Sequence, residues 1–107
     1  MNRGKQCEQL VTKDLTSRGY KLYKANLKTP FAEIDILLSH AAKPWLMVEV
    51  KSSNSTHFDT FRLSQSQKAR QQRAYMYLQS QLDVDLQMIV AIVSARNKIT
   101  YYSYDQL

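Results

Sequence analysis

The chain has 107 residues, 44% of them hydrophobic, with a formal net charge of +6. That length suits one domain spanning 1–107 around a single core, and the apolar content excludes a disordered chain. Two glycines, two prolines and one cysteine leave little room for linkers or low-complexity segments and none for an internal disulfide. The positive balance favours a polyanionic partner.

Residues 5–18 read as the first helix, because Cys7, Leu10, Val11 and Leu15 recur at helical spacing and Gly19 follows as a terminator. Tyr20–Asn26 alternates as a first strand with one wetter face, and Pro30 marks the stretch after it as a turn. Residues 32–52 form two apolar strands joined by a loop at Ser39–Pro44, with Trp45 opening the return strand as a core or rim anchor or, less simply, a base-stacking platform. Ser52–Ser64 is irregular. It contains His57 and Asp59, which read as a solvated pair or as further metal ligands, and it is placed to close over a substrate strand.

Ser64–Leu82 reads as a second helix capped by Ser64 or Ser66, with Gln67, Gln71, Ala74, Leu78 and Leu82 on its inward stripe. Gln67 is a candidate for orienting water or a backbone phosphate. No acid falls between Asp59 and Asp83, whereas Arg62, Lys68, Arg70 and Arg73 do. A basic stretch at a helix start suits phosphate contacts, or else a charged solvated face. Leu86–Ser94 reads as a buried central strand, and Ile99–Tyr104 as an edge strand whose tyrosines suit strand packing, a dimer surface or base stacking. The order is α-β-β-β-α-β-β: an α/β domain with a mixed central sheet flanked by helices. The lone Cys7 suits a reducing cytoplasm, and neither a signal peptide nor an apolar run long enough to span a membrane is visible.

The charges in 32–52 are placed at a cost. Asp, Glu and Lys are depleted from strands and are rarely buried unless paired or metal-bound. Yet Glu33 and Asp35 open one apolar strand, and Glu49 and Lys51 close the other. Residues two apart share a face, so in a hairpin Asp35 and Glu49 can meet at one end of the sheet beside an ammonium. Two carboxylates there suit a hard cation such as Mg²⁺, with Lys51 able to assist a water or steady negative charge. The alternative is an edge salt bridge to Lys51.

Asp35 followed by Glu49-Val50-Lys51 resembles the D…ExK signature of the PD-(D/E)xK nuclease superfamily. In more detail the chain resembles the small bacterial YraN-type family, similar to archaeal Holliday-junction resolvases. The matching pieces are Arg3-Gly4-Lys5 with Glu8, Gly19-Tyr20 with Asn26, Glu33-Ile34-Asp35, Val48-Glu49-Val50-Lys51, and a helix carrying Lys68, Arg70 and Tyr77-Leu78. They span about residues 3–95. Ala32 and Gln67 depart from the family pattern, which usually has Gly and often Lys there.

The resemblance implies a restriction-endonuclease-like core and catalysis by Asp35, Glu49 and Lys51 with Glu8 and Gln67. It further implies Mg²⁺ (or Mn²⁺) held by Asp35, Glu49, Glu8 and the carbonyl of Val50, DNA as the partner, and a homodimer. Glu8 alone also reads as a solvated carboxylate at a helix start. The function expected is a metal-dependent endonuclease acting on DNA, branched DNA included. The second reading is a non-catalytic nucleic-acid-binding module of the same fold in a DNA-processing or uptake complex.

Overall fold

The computed structural model describes residues 2–53 and 64–104. Seven elements follow in order: α1 (Arg3–Ser17), β1 (Lys21–Lys28), β2 (Glu33–Ser39), β3 (Trp45–Ser52), α2 (Gln65–Leu82), β4 (Leu86–Val93) and β5 (Ile99–Ser103). This is the expected α-β-β-β-α-β-β order. The strands form one sheet in the order β1-β2-β3-β4-β5. Of these neighbours β3 and β4 run parallel, joined by the crossover through α2; the other pairs are antiparallel.

The two helices cover opposite faces of this sheet, and the strand alternation decides which residues each covers. Cys7, Val11 and Leu15 of α1 pack on Ile36, Leu38, Leu46, Val48, Ile89, Ala91 and Val93. Ala74 and Leu78 of α2 pack on Leu37, Met47 and Leu86. Helix α2 covers only the Leu86 end of β4, and among the described residues Tyr104 packs over Val90 and Ile92 farther along that strand.

Local chemistry sets the element ends. Asn2 caps α1, its side-chain oxygen accepting from Lys5 N at 2.8 Å, so the helix starts two residues before the expected Lys5. Gly19 carries the chain away from α1 with φ +101°, a conformation that a side chain would strain. Ser64 caps α2 in a capping box with Gln67. Strand β1 runs two residues beyond Asn26, because the turn tightens to Thr29–Ala32, where Thr29 N and Oγ1 both donate to Ala32 O at 3.1 and 2.6 Å. From Lys21 through Ala25 that strand is exposed at every position rather than on one face, as suits an edge strand edged with lysine.

Two long-range clamps hold α1 to the far edge. The Arg3 guanidinium donates to Ser94 O and Asn97 Oδ1, both at 2.7 Å, anchoring the β4–β5 turn. Tyr101 Oη donates to Asp14 Oδ2 at 2.6 Å, and Arg18 pairs with the same oxygen at 3.2 Å. Burial, then the Asp14 bond, pushes the Tyr101 hydroxyl well above its ordinary range. Tyr101→Phe is expected to cost about 1–2 kcal/mol, since it removes a hydrogen bond to a charged acceptor. A urea melt checks this: an unchanged midpoint would show the clamp to be idle.

Candidate functional site

The site forms where β2 parts from β3. The ladder between them runs Leu38↔Leu46, Leu37↔Met47 and Ile36↔Val48; one further step would set Asp35 opposite Glu49. There the strand changes hand: Ile36 and Leu38 pack on the α1 side, whereas Ile34 joins Leu37 on the α2 side, breaking the alternation at Asp35. The Val50 N–H that would have continued the ladder is taken by the Asp35 side chain, whose Oδ2 accepts it at 2.8 Å. A strand residue's N–H and C=O face the same edge, so the Val50 carbonyl faces the same gap.

Glu49 lies across that gap. Met47 belongs to the α2 side, and alternation carries Glu49 and Lys51 to that side too. Lys51 Nζ is 3.4 Å from Glu49 Oε1, and Gln71 Nε2 of α2 donates to Oε2 at 3.2 Å. The Glu49 side chain is only 15% exposed. Burial, reinforced by the Asp35 charge and partly offset by Lys51, lifts its carboxyl from 4.5 to about 7. Two crowded carboxylates, one of them desolvated, favour any positive charge placed between them. A cavity of about 200 Å³ opens beside them, lined by Glu33, Glu49, Lys51, Gln67, Arg70 and Gln71.

The expected site residues are therefore distributed unevenly. Asp35, Glu49, Lys51 and the Val50 backbone meet, and Glu33, expected only as a spare carboxylate, lines their cavity. Gln67 borders the same cavity, with its Oε1 engaged by Ser64 N at 3.1 Å. Glu8 stands apart on the α1 side, where Asn26 Nδ2 donates to its Oε1 at 3.2 Å and Lys5 Nζ lies at 3.8 Å. Among the described residues, no three His, Cys, Asp or Glu side chains gather in a geometry that could hold a metal ion.

The α2 cations divide as well, because residues two apart on a helix, such as Lys68 and Arg70, turn to different faces. Arg70 faces the Glu49 cavity and Arg73 is exposed, whereas Lys68 lines a second cavity of about 380 Å³ against β4 and β5. In the wall of that second cavity the Tyr104 hydroxyl is buried with no hydrogen-bond partner among the described residues; burial and the nearby Glu49 charge push it up to about 12. Arg62, His57 and Asp59 lie outside the described residues.

Two features of the site leave little trace in the sequence. Gln71 is legible there as an inward amide four residues after Gln67, but not as the group that holds Glu49. The Asp35–Val50 bond has no sequence signal, because nothing in the chain marks where a ladder ends.

As a donor set the pair suits a hard divalent cation: two carboxylates and a backbone carbonyl, all oxygen, facing one gap. Fold and site together define an α/β protein with a mixed five-stranded sheet and a D…ExK pair of carboxylates with lysine at the parting of two strands. The Holliday junction resolvase Hjc of Archaeoglobus fulgidus, from an archaeal hyperthermophile, shares this fold: the TM-score is 0.71 at 16% identity, over 99% of this chain and 76% of that one. The family described as "Uncharacterised protein family UPF0102" matches residues 7–96, and the chain belongs to it. The UPF0102 protein of Shewanella oneidensis is 35% identical over 97 residues, 87% of this chain and 89% of that protein. That of Shewanella sp. strain MR-4 is 35% identical over 101 residues, 90% and 93% of the two chains. In Aquifex aeolicus a UPF0102 protein is 38% identical over 53 residues, half of each chain.

Proposed function

We propose that this protein is a metal-dependent endonuclease that hydrolyses phosphodiester bonds in DNA, with branched DNA as its preferred substrate. The observation that carries the reading is the buried Glu49 carboxyl beside Asp35, with Lys51 at 3.4 Å. A plain salt bridge needs one carboxylate; a second, desolvated one beside it costs stability unless something cationic is to be held there. The fold shared with Hjc supports the choice of DNA.

In this reading Asp35, Glu49 and the Val50 carbonyl would hold Mg²⁺ or Mn²⁺, and Glu8 would join them only by turning from its Asn26 and Lys5 partners. When bound there, the cation would supply Lewis-acid charge and a more acidic water. Lys51, steadied by Glu49, donates to the attacking water or to the developing negative charge. Asp35 is fixed by Val50 N and Glu49 by Gln71, so neither carboxylate must reorganise when substrate arrives. Arg70 at the cavity rim, Arg73 one turn along the same face of α2 and Lys68 on the flanking face contact phosphates without reading sequence, and Arg62 joins them. Gln67 orients water or phosphate at the same rim. Two strands of a junction need two such sites, which a two-fold homodimer supplies. A cytoplasmic location fits this reading, because the buried free thiol of Cys7 suits a reducing compartment.

The test is a labelled panel of four-way junction, flap, linear duplex and single strand, incubated in Mg²⁺ and in Mn²⁺. The reading expects cutting, fastest on the junction. Binding without cutting of any substrate would instead establish the non-catalytic module. Gln71→Ala is expected to slow cutting by roughly 10–100-fold with substrate affinity little changed, as for a group that orients a metal ligand. A rise in KM at constant kcat would reassign Gln71 to substrate binding.

A further inference from the structure

Among the described residues, the exposed aromatic side chains gather on one track. Tyr23 and Phe31 are 51% and 42% exposed, high for large apolar side chains. Each leans on a second ring: Tyr23 on Trp45, with centroids 4.9 Å apart, and Phe31 on Tyr77, at 6.1 Å. Between the two ring pairs lies a cavity of about 280 Å³ in the groove where α2 passes over β1. Lys24 and Lys28 stand along it, and none of its described lining residues is acidic.

The track leads to the Glu49 cavity. Phe31 is followed in the chain by Ala32 and Glu33, which line that cavity. On α2, Arg70, Arg73 and Tyr77 fall three and four residues apart, hence on one face; Arg70 lines the Glu49 cavity and Tyr77 the groove. Trp45 opens β3 and Glu49 lies four residues along it, roughly 13 Å away at the rise of an extended strand. Cations and rings thus alternate from the carboxylates to Trp45.

We propose that this track binds an unpaired nucleic-acid strand, the single-stranded portion of a substrate whose scissile phosphate lies at Glu49. This rests on the hydrolytic reading for the strand's destination but not for its binding. The alternation carries the choice of occupant. Lysines and arginines meet the backbone phosphates, while half-exposed rings offer faces to bases that are not already stacked in a duplex. A purely apolar partner would leave those cations unmatched.

The chain carries its own probe, since Trp45 is its only tryptophan. In EDTA and low salt, titration with an oligothymidylate strand is expected to quench Trp45 emission saturably and at lower concentration than a duplex of equal length. Tyr23→Ser should weaken strand binding at least about fivefold, the low end of one base–ring stack, while Tyr23→Phe should retain it. The proposal is overturned if a labelled strand binds by anisotropy with Trp45 silent, if Tyr23→Ser binds as wild type does, or if no strand binds. Trp45 emission that shifts on dilution without nucleic acid would also overturn it, showing a second copy of the chain on the track. The two readings separate cleanly. Quenching without cleavage in Mg²⁺ keeps the track and removes the hydrolase, and cleavage without quenching does the reverse.

Discussion

Glu49→Gln is expected to make the metal-free protein more stable at pH 8 than the wild type, while ending cleavage. The Glu49 carboxyl titrates at about 7 in the folded chain against 4.5 ordinarily, so the folded state binds a proton that the unfolded chain releases. For a group raised in this way, the stabilisation is complete below about pH 4.5 and drains away as pH rises through 7. A wild-type melting curve in EDTA should therefore fall across that window by up to a few kcal/mol, because each pH unit separating the two values is worth about 1.4 kcal/mol. Glutamine carries no charge to desolvate and keeps an oxygen for the Gln71 amide, so its curve should be flatter there. Adding Mg²⁺ at pH 8 should restore the wild type, because a cation that binds only the folded site stabilises by mass action, and should leave the variant unmoved. Equal slopes for the two proteins would mean that burial and Asp35 do not press on Glu49.

Asp35 is expected to divide its two roles between two substitutions. Asp35→Ala removes the acceptor of the Val50 N–H and leaves a part-buried donor unsatisfied where β2 has already left the ladder. That should cost about 1–3 kcal/mol on top of lost activity. Asp35→Asn keeps an oxygen for Val50 and loses only the charge, so it should fold like the wild type and still cut at least about a thousandfold more slowly. It should also lower the Glu49 carboxyl, because one cause of the rise is the Asp35 charge. Thermal melts with parallel cleavage assays check both. An Asn variant as unstable as the Ala variant would show that charge, and not the bond to Val50, holds the strand.

Much of this arrangement is legible in the amino-acid order. The helical stripe Cys7–Val11–Leu15 and the run Ala74–Leu78 name the faces that the structure buries, since a period of 3.6 leaves an apolar stripe nowhere else to go. Asp35, Glu49 and Lys51 stand out because charge in an apolar strand costs energy without a purpose. What stays hidden depends on groups that make no pattern of their own. The cap by Asn2 lengthens α1, the Thr29–Ala32 turn lengthens β1, and the parting of β2 from β3 at Asp35 turns a ladder position into a side-chain acceptor. Glu8 shows the other limit: its neighbours Cys7 and Val11 fix the face of α1 but not its reach, and its carboxylate meets Asn26 and Lys5. The aromatic track, too, joins residues from β1, the turn, β3 and α2 that no local period connects.

The most direct measurement compares wild type and Asp35→Asn on a labelled four-way junction across a Mg²⁺ titration, both proteins first shown by their melts to be folded. Cutting that appears with the cation in the wild type and is absent from the variant is the predicted result. Equal cutting by the two proteins, or wild-type cutting that persists in EDTA, would contradict the assignment of Asp35 and Glu49 as the hydrolytic centre.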